Sequence, residues 1–235
     1  MNKSAIEVNR LNLRNMKIPY VITGVIFVAL LVMDVIKALT AYNSGDMIEQ
    51  ILISIGNLLW LLIPLAAIFI ATKNFRKLIN LGCKRSSFFM GSLVTYLILA
   101  VIISLANTLI FYSYDGFMNN TGYFEGVINC MEIFGWSANG PVIAFIQQFA
   151  FLFLIAAVIH TLALMQDNWL GWAIDLLIVA VISVFIPIAS LRVALVWFFN
   201  LIIFNANALL QIIACLTIAV GSYALSYPAL SRKKI

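Results

Sequence analysis

Few residues of this 235-residue chain have the types and spacing that enzymes use for chemistry. His160 is the single histidine, so this chain cannot supply the two imidazoles that many metal sites and histidine-dependent mechanisms need. The sequence holds neither a G-x-x-x-x-G-K-[ST] segment, which would bind nucleotide phosphates, nor a G-x-S-x-G turn, which would present a nucleophilic serine. We therefore expect no enzyme activity and no cofactor in this chain.

Two ionisable residues fall inside apolar segments, where such groups are costly and mark functional sites by default. His160 precedes a polar turn at 166–168 by about as many residues as Asp175 follows it. At 1.5 Å rise per residue, both lie about 10 Å from the turn in an antiparallel helix pair. We predict a hydrogen bond between them. Whether it has a functional role or only joins the two helices stays open.

The composition fixes the class of protein. Hydrophobic residues make up 64% of the chain and charged residues 10%, whereas soluble domains average about 25% charged. This predicts one polytopic membrane domain. The net charge of +5 comes from residues at the ends of apolar runs, which favours a topological role over nucleic-acid binding. The three cysteines lie at different predicted depths, so no disulfide or metal site is expected.

Six apolar segments are long enough to cross a bilayer as helices, which takes about 20 residues. The fold class predicted is therefore an all-α polytopic membrane protein with six transmembrane helices. The predicted spans are 18–39, 51–71, 88–112, 141–165, 169–190 and 209–225.

Basic residues set the orientation. Twelve of the fourteen Lys and Arg residues lie in the N-terminal arm, in the loop from Lys73 to Arg85, or in the tail at 232–234. The positive-inside rule places all three segments, and with them both termini, on the cytoplasmic side of the cell membrane. A seventh crossing at 191–208 would put the tail outside. We therefore predict an outer re-entrant or interfacial hairpin there, packed in protein, between the fifth and sixth spans.

Residues 1–17 mix Ile6, Leu11, Leu13 and Met16 with basic side chains. This pattern predicts an amphipathic helix on the inner leaflet, with a frayed basic tail as the alternative.

The basic loop predicts a short helix of its own. Phe75, Leu78 and Ile79 fall on one side at helical spacing, and Gly82 can end the helix in a left-handed conformation. Two interpretations remain: a solvated loop that only sets topology, or a rigid element that docks into a cytoplasmic partner.

The run Phe75-Arg76-Lys77-Leu78, Leu81-Gly82-Cys83-Lys84-Arg85 and Phe88-Phe89 resembles the first cytoplasmic loop of ATP-binding-cassette type 2 exporter permeases. The N-terminal arm, six spans and outer hairpin match that family in order, and the size resembles the small permeases of bacterial peptide-toxin and antimicrobial-peptide exporters, including phenol-soluble modulin exporters. The resemblance implies a cytoplasmic coupling helix that contacts a separate ATPase. Its residues would be Phe75, Arg76, Lys77, Leu78, Ile79, Leu81 and Gly82, with Lys84 and Arg85 as its basic exit.

The resemblance further implies a connecting helix over 6–17, a dimer of permeases with two ATPase subunits, and ATP and Mg bound on the ATPase. The second and fifth spans would line the dimer seam. The function it implies is export of amphipathic peptides or lipophilic compounds. The alternative is a non-transporting immunity or sensor protein that binds a peptide at its outer loop. An ion-coupled carrier ranks last, because no internal repeat is evident.

Overall fold

A computed structural model describes residues 3–44, 48–120, 124–166, 169–185 and 187–233. The predicted turn residues Asp167 and Asn168 and the tail residue Lys234 lie outside these ranges. The helices are α1 Lys3–Asn15, α2 Lys17–Ser44, α3 Ile55–Leu58, α4 Leu62–Phe69, α5 Phe75–Asn80, α6 Arg85–Ile110, α7 Gly116–Asn120, α8 Cys130–Ile133, α9 Pro141–Met165, α10 Trp169–Phe185, α11 Ala189–Ile202 and α12 Ala208–Arg232.

Several of these helices run on without a break. A 3₁₀ turn, Leu59–Leu61, and a π turn, Ile70–Asn74, join α3, α4 and α5 into one rod. A second π turn, Phe111–Asp115, joins α6 to α7. Five helical stretches of the described chain are long and apolar enough to cross a membrane: Lys17–Thr40, Ile55–Asn80, Arg85–Asn120, Pro141–Met165 and Ala208–Ser231. The architecture is that of a helical membrane protein.

Helix α9 is the centre of the bundle and contacts α4, α6 and α12. Its buried alanines include Ala150, Ala156 and Ala157, and small residues let neighbouring helices approach closely in a membrane. The Thr161 hydroxyl reaches across to the Ser222 carbonyl oxygen of α12 at 2.8 Å. The bounds of α9 coincide with the predicted span 141–165.

The second predicted span starts too early. Residues Ile48–Ile53 form a strand, β1, which pairs in parallel with β2, Phe124–Ile128. The helix begins only at Ile55, after Ser54 caps it by accepting from the Gly56 amide, and continues to Asn80. The sequence prediction missed this sheet because an apolar run of β-branched residues reads equally as strand or buried helix.

The predicted outer hairpin is a different structure. Helix α10 has 17 residues, about 25 Å at 1.5 Å per residue, and it ends two residues before Pro187, which disfavours helix before it. The segment after it forms a single 14-residue helix, α11. Most side chains of α11 are exposed, including Trp197 at 65%, so within one chain this helix is not packed in protein as predicted.

Candidate functional site

The segment that carries the family resemblance lies at one end of the bundle, where α5 meets the turn before α6. The amide of Gly82 donates to the Ile79 carbonyl oxygen at 2.9 Å, and the amide of Cys83 donates to the Leu78 oxygen at 3.0 Å. Gly82 has φ +84°, the left-handed conformation that glycine adopts without a Cβ clash. These two bonds are the Schellman arrangement that stops a helix, so α5 ends where the sequence predicts.

One side of α5 anchors it. Phe75 and Leu78 are buried, and the Phe75 ring meets Phe88 of α6 edge to face, with centroids 5.3 Å apart. The opposite side and the following turn expose Arg76, Lys77 and Leu81, the last of these at 73%. Ile79 is half-buried. The result is an anchored helix that exposes two cations on its side and one apolar side chain after its end.

The two basic residues after Gly82 have separate surroundings. Lys84 is exposed, and the described contacts give its side chain no hydrogen-bond partner. The Arg85 guanidinium donates to the carbonyl oxygens of Leu230 (2.8 Å), Ser231 and Lys233 (3.0 Å) at the end of α12. Arg85 therefore caps a helix C-terminus, where a cation is favourable, and is only half-exposed to a partner.

The sequence places Lys233 in the predicted cytoplasmic tail; in the structure its side chain is buried, with 1% exposure. Its ammonium donates to the Ala71 oxygen of the π turn (3.2 Å) and to the Ala163 oxygen of α9 (3.4 Å). It also lies 5.5 Å from the Phe75 ring centroid, within cation–π range. The chain's C-terminal segment thus holds the base of α5. No local sequence signal distinguishes this lysine from its neighbours.

Helix α1 lies against α6 and the π turn. The Asn12 amide donates to Ser92 (3.3 Å) and Thr95 (3.5 Å) and accepts from Asn74 (3.3 Å). Lys77 donates to Asn15 at 3.2 Å. Asparagines three residues apart at 9, 12 and 15 form this seam, and that spacing is the signal sequence reasoning missed.

The buried face of α1 differs from the apolar face that the sequence predicted. Ala5, Val8 and Asn12 of α1 are buried, as is Met16 directly after it. Asn9, Leu13 and Asn15 are half-buried, whereas Ile6 and Leu11 are exposed. The helix is therefore amphipathic, but it turns its small and amide side chains to the protein. Ile6 and Leu11 remain available to lipid or to a partner.

The predicted hydrogen bond between His160 and Asp175 is absent. His160 Nδ1 pairs with the Tyr96 hydroxyl of α6 at 2.7 Å, and its ring stacks on Tyr223 of α12, with centroids 5.2 Å apart. Asp175 accepts instead from Gln166 at 2.5 Å. Equal distance from a turn fixed the depth of the two residues but not their direction, because His160 faces α6 and α12 rather than α10.

A buried polar network at the other end of the bundle was not predicted. The Asn129 amide donates to Ser54 (3.0 Å), Asn107 (3.2 Å) and Asp115 (2.8 Å). It joins the end of β2, the start of α3 and the α6–α7 rod. The sheet and this network hold together the described part of the segment between α6 and α9.

Two cysteines outside the long helices are half-buried. Burial raises the pKa of the Cys83 thiol, next to the α5 stop. Burial also raises the pKa of the Cys130 thiol, which follows the polar network. Both thiols are therefore less ionised, and less reactive at neutral pH, than exposed cysteines.

Comparison with known proteins gives one partial match. Residues 141–170, which hold α9 and the turn after it, match the family model for the antenna complex alpha/beta subunit. No characterised protein and no solved structure matches the chain. Since the match covers one apolar helix of the bundle, it agrees with a membrane location. It gives no information on the other helices or on function.

Proposed function

We propose that this protein is the membrane-spanning permease subunit of an ATP-driven exporter, which moves amphipathic peptides or lipophilic compounds out of the cell. ATP and Mg would be bound and used by a separate cytoplasmic ATPase of the ATP-binding-cassette class. The proposal rests on the resemblance of the α5 segment to the first cytoplasmic loop of type 2 exporter permeases.

The observation that carries the proposal is the construction of α5. It is short, it is continuous with a membrane-length helix, and it exposes Arg76 on its side and Leu81 at its tip. Phe88, Lys233 and the α1 seam hold its base from three sides. A loop that only sets topology needs basic charge, but it does not need a braced helix with an apolar tip. Because α5 is continuous with α4 through the π turn, a displacement of α5 would also move α4 and α9, which contacts α4.

Orientation and span count follow the charge pattern in this proposal. The basic segments at α1, α5 and the end of α12 meet at one end of the bundle, through contacts such as Arg85 to Leu230. Cytoplasmic placement of this end obeys the positive-inside rule. With α10 as a short crossing that thins the bilayer locally, the protein has six spans and both termini inside.

The exposed apolar surface supports a second copy of the permease. Leu176, Leu177 and Val179 on α10 are 74%, 62% and 62% exposed. A homodimer in which α10 and the Ile55–Asn80 rod line the seam would cover part of this surface, and substrate would leave between the protomers.

The test is to replace the α5 tip and measure ATPase binding. In Arg76→Glu/Leu81→Ser, we expect loss of co-purification of an ATP-binding-cassette ATPase encoded in the same organism, and loss of substrate export by membrane vesicles. Both positions are exposed, so the fold should survive, and a thermal unfolding curve checks this. Neither residue lines the cleft formed by Arg14, Lys17, Lys73 and Lys77.

The matched control is Arg192→Glu/Val193→Ser, which makes the same kinds of change at an exposed pair on α11. We expect it to retain the ATPase. Equal ATPase recovery by the two double variants, or by the α5 variant and the unmodified protein, would refute the coupling role of α5.

The alternative, a non-transporting immunity or sensor protein, is supported by the ordered outer segment. An open cleft of about 440 Å³ lies between the sheet and α8, lined by Ile51, Val127, Ile128 and Ile133 among others. Such a surface could hold an apolar peptide. Peptide binding that survives Arg76→Glu/Leu81→Ser, in a protein with no ATPase partner, would favour this alternative.

A further inference from the structure

A second basic feature lies on the opposite side of α5 from the Schellman turn. A cleft of about 350 Å³ is bounded by the end of α1, the start of α2, the π turn and α5. Four cations line it: Arg14, Lys17, Lys73 and Lys77. No acidic residue of the described chain lines it.

The sequence and the fold together bring these cations into one place. Lys73 and Lys77 are four residues apart, so they share a face of one helix. Arg14 and Lys17 lie on either side of Met16, the buried residue that separates α1 from α2. Lys77 is held toward the cleft by Asn15. All four are exposed at the cleft wall. None of the described residues that line the cleft carries a negative charge that would neutralise them.

The position of the cleft points to a lipid rather than to a soluble anion. Lys17 is the first residue of a membrane-length helix, so the cleft lies at the level of the lipid headgroups. Ile18, which lines the cleft, shares a face of α2 with Val25 and Ala29, seven and eleven residues on. That face continues as an open apolar groove of about 580 Å³ that includes Gly24 and Val28.

We propose that this protein binds one anionic phospholipid here, with its phosphate among the four cations and an acyl chain along the α2 groove. Charge complementarity selects an anionic headgroup, since basic pockets between membrane helices bind such groups. The groove supplies the apolar part of the site, which a free phosphate ion would not use. The site touches α5 through Lys77, so the lipid would brace the same helix. This proposal does not depend on the export function.

The headgroup is tested by native mass spectrometry of the full protein with phosphatidylglycerol or phosphatidylcholine. The unmodified protein should retain phosphatidylglycerol in preference. Lys17→Gln/Lys73→Gln should weaken this retention about tenfold or more, because each cation near a charged surface contributes appreciably to lipid binding. Arg10→Gln/Lys84→Gln removes two exposed cations from the same end of the bundle, outside the cleft, and should leave retention unchanged.

The groove is tested by filling it. A Cβ on Gly24 would meet nothing within 4 Å, and the same holds for Gly221 on α12. Gly24→Leu should therefore fold and lower retention severalfold, whereas Gly221→Leu should not. An equal loss in both charge variants, or no loss in either, would overturn the site. Two results together would overturn the lipid proposal and assign the cleft to a soluble anion: millimolar inorganic phosphate displaces the lipid, and Gly24→Leu leaves lipid retention unchanged.

Discussion

Replacing Arg85 should free the C-terminal end of α12. Its guanidinium donates to three carbonyl oxygens that the helix itself leaves unsatisfied. Hydrogen bonds to charged groups are worth about 1.5–3 kcal/mol net when well buried. Arg85 is only half-buried, and water can replace it at the freed carbonyls, so we take about 1 kcal/mol for each bond. The total, about 3 kcal/mol, is a factor of about 100 in the local opening equilibrium.

Hydrogen–deuterium exchange of the last turns of α12 measures that equilibrium directly. We expect Arg85→Gln to speed exchange of the amides near Leu230 about 100-fold, and Arg85→Lys to recover only part of the protection, because one ammonium cannot reach three carbonyls as a planar fork does. Lys84→Gln removes the same charge one residue earlier and should leave exchange unchanged. Equal acceleration in the Arg85→Gln and Lys84→Gln proteins would show that the charge, and not the cap, protects the helix end, and no acceleration in either would show that neither does.

Two further measurements address packing and orientation. A Cβ on Gly91 would lie 2.6 Å from the Val8 side chain, so Gly91→Val should force α1 off α6, destabilise the protein by about 1–3 kcal/mol and lower Tm, while Gly221→Val should not. In intact cells, a membrane-impermeant thiol reagent should label Cys130 and spare Cys83, as cytoplasmic placement of α5 requires. Because burial raises the pKa of both thiols, labelling of Cys130, and of Cys83 after permeabilisation, should speed up as pH rises above neutral; labelling of Cys83 in intact cells would reverse the orientation.

Local signals in the sequence predicted the α5 segment closely. Helical spacing placed Phe75 and Leu78 on the buried side, and Gly82 marked the end of the helix. Each of these is decided within a few residues, by side-chain periodicity and by the conformational freedom of glycine. The continuity of α5 with α4 was not predicted, because a π turn at Ile70–Asn74 has no reliable sequence signature.

Predictions that depended on which neighbouring helix a side chain faces were wrong. The depths of His160 and Asp175 were counted from a turn, but the face each residue presents depends on which helices surround it. The parallel pairing of β1 with β2 joins segments about seventy residues apart, so no local pattern contains it. Lys233 looks like any tail lysine until the bundle brings Ala71, Ala163 and Phe75 around it.

By itself, the sequence determined that this is a helical membrane protein, roughly where most of its long helices lie, and that its basic residues gather in three segments. Hydropathy and charge act over a single helix length, so they can be read along the chain. Only the tertiary structure decided that those three segments meet, that Arg85 and Lys233 are turned inward, and that Arg14, Lys17, Lys73 and Lys77 share one cleft. Such contacts join residues far apart in sequence, and they arise from how whole helices pack.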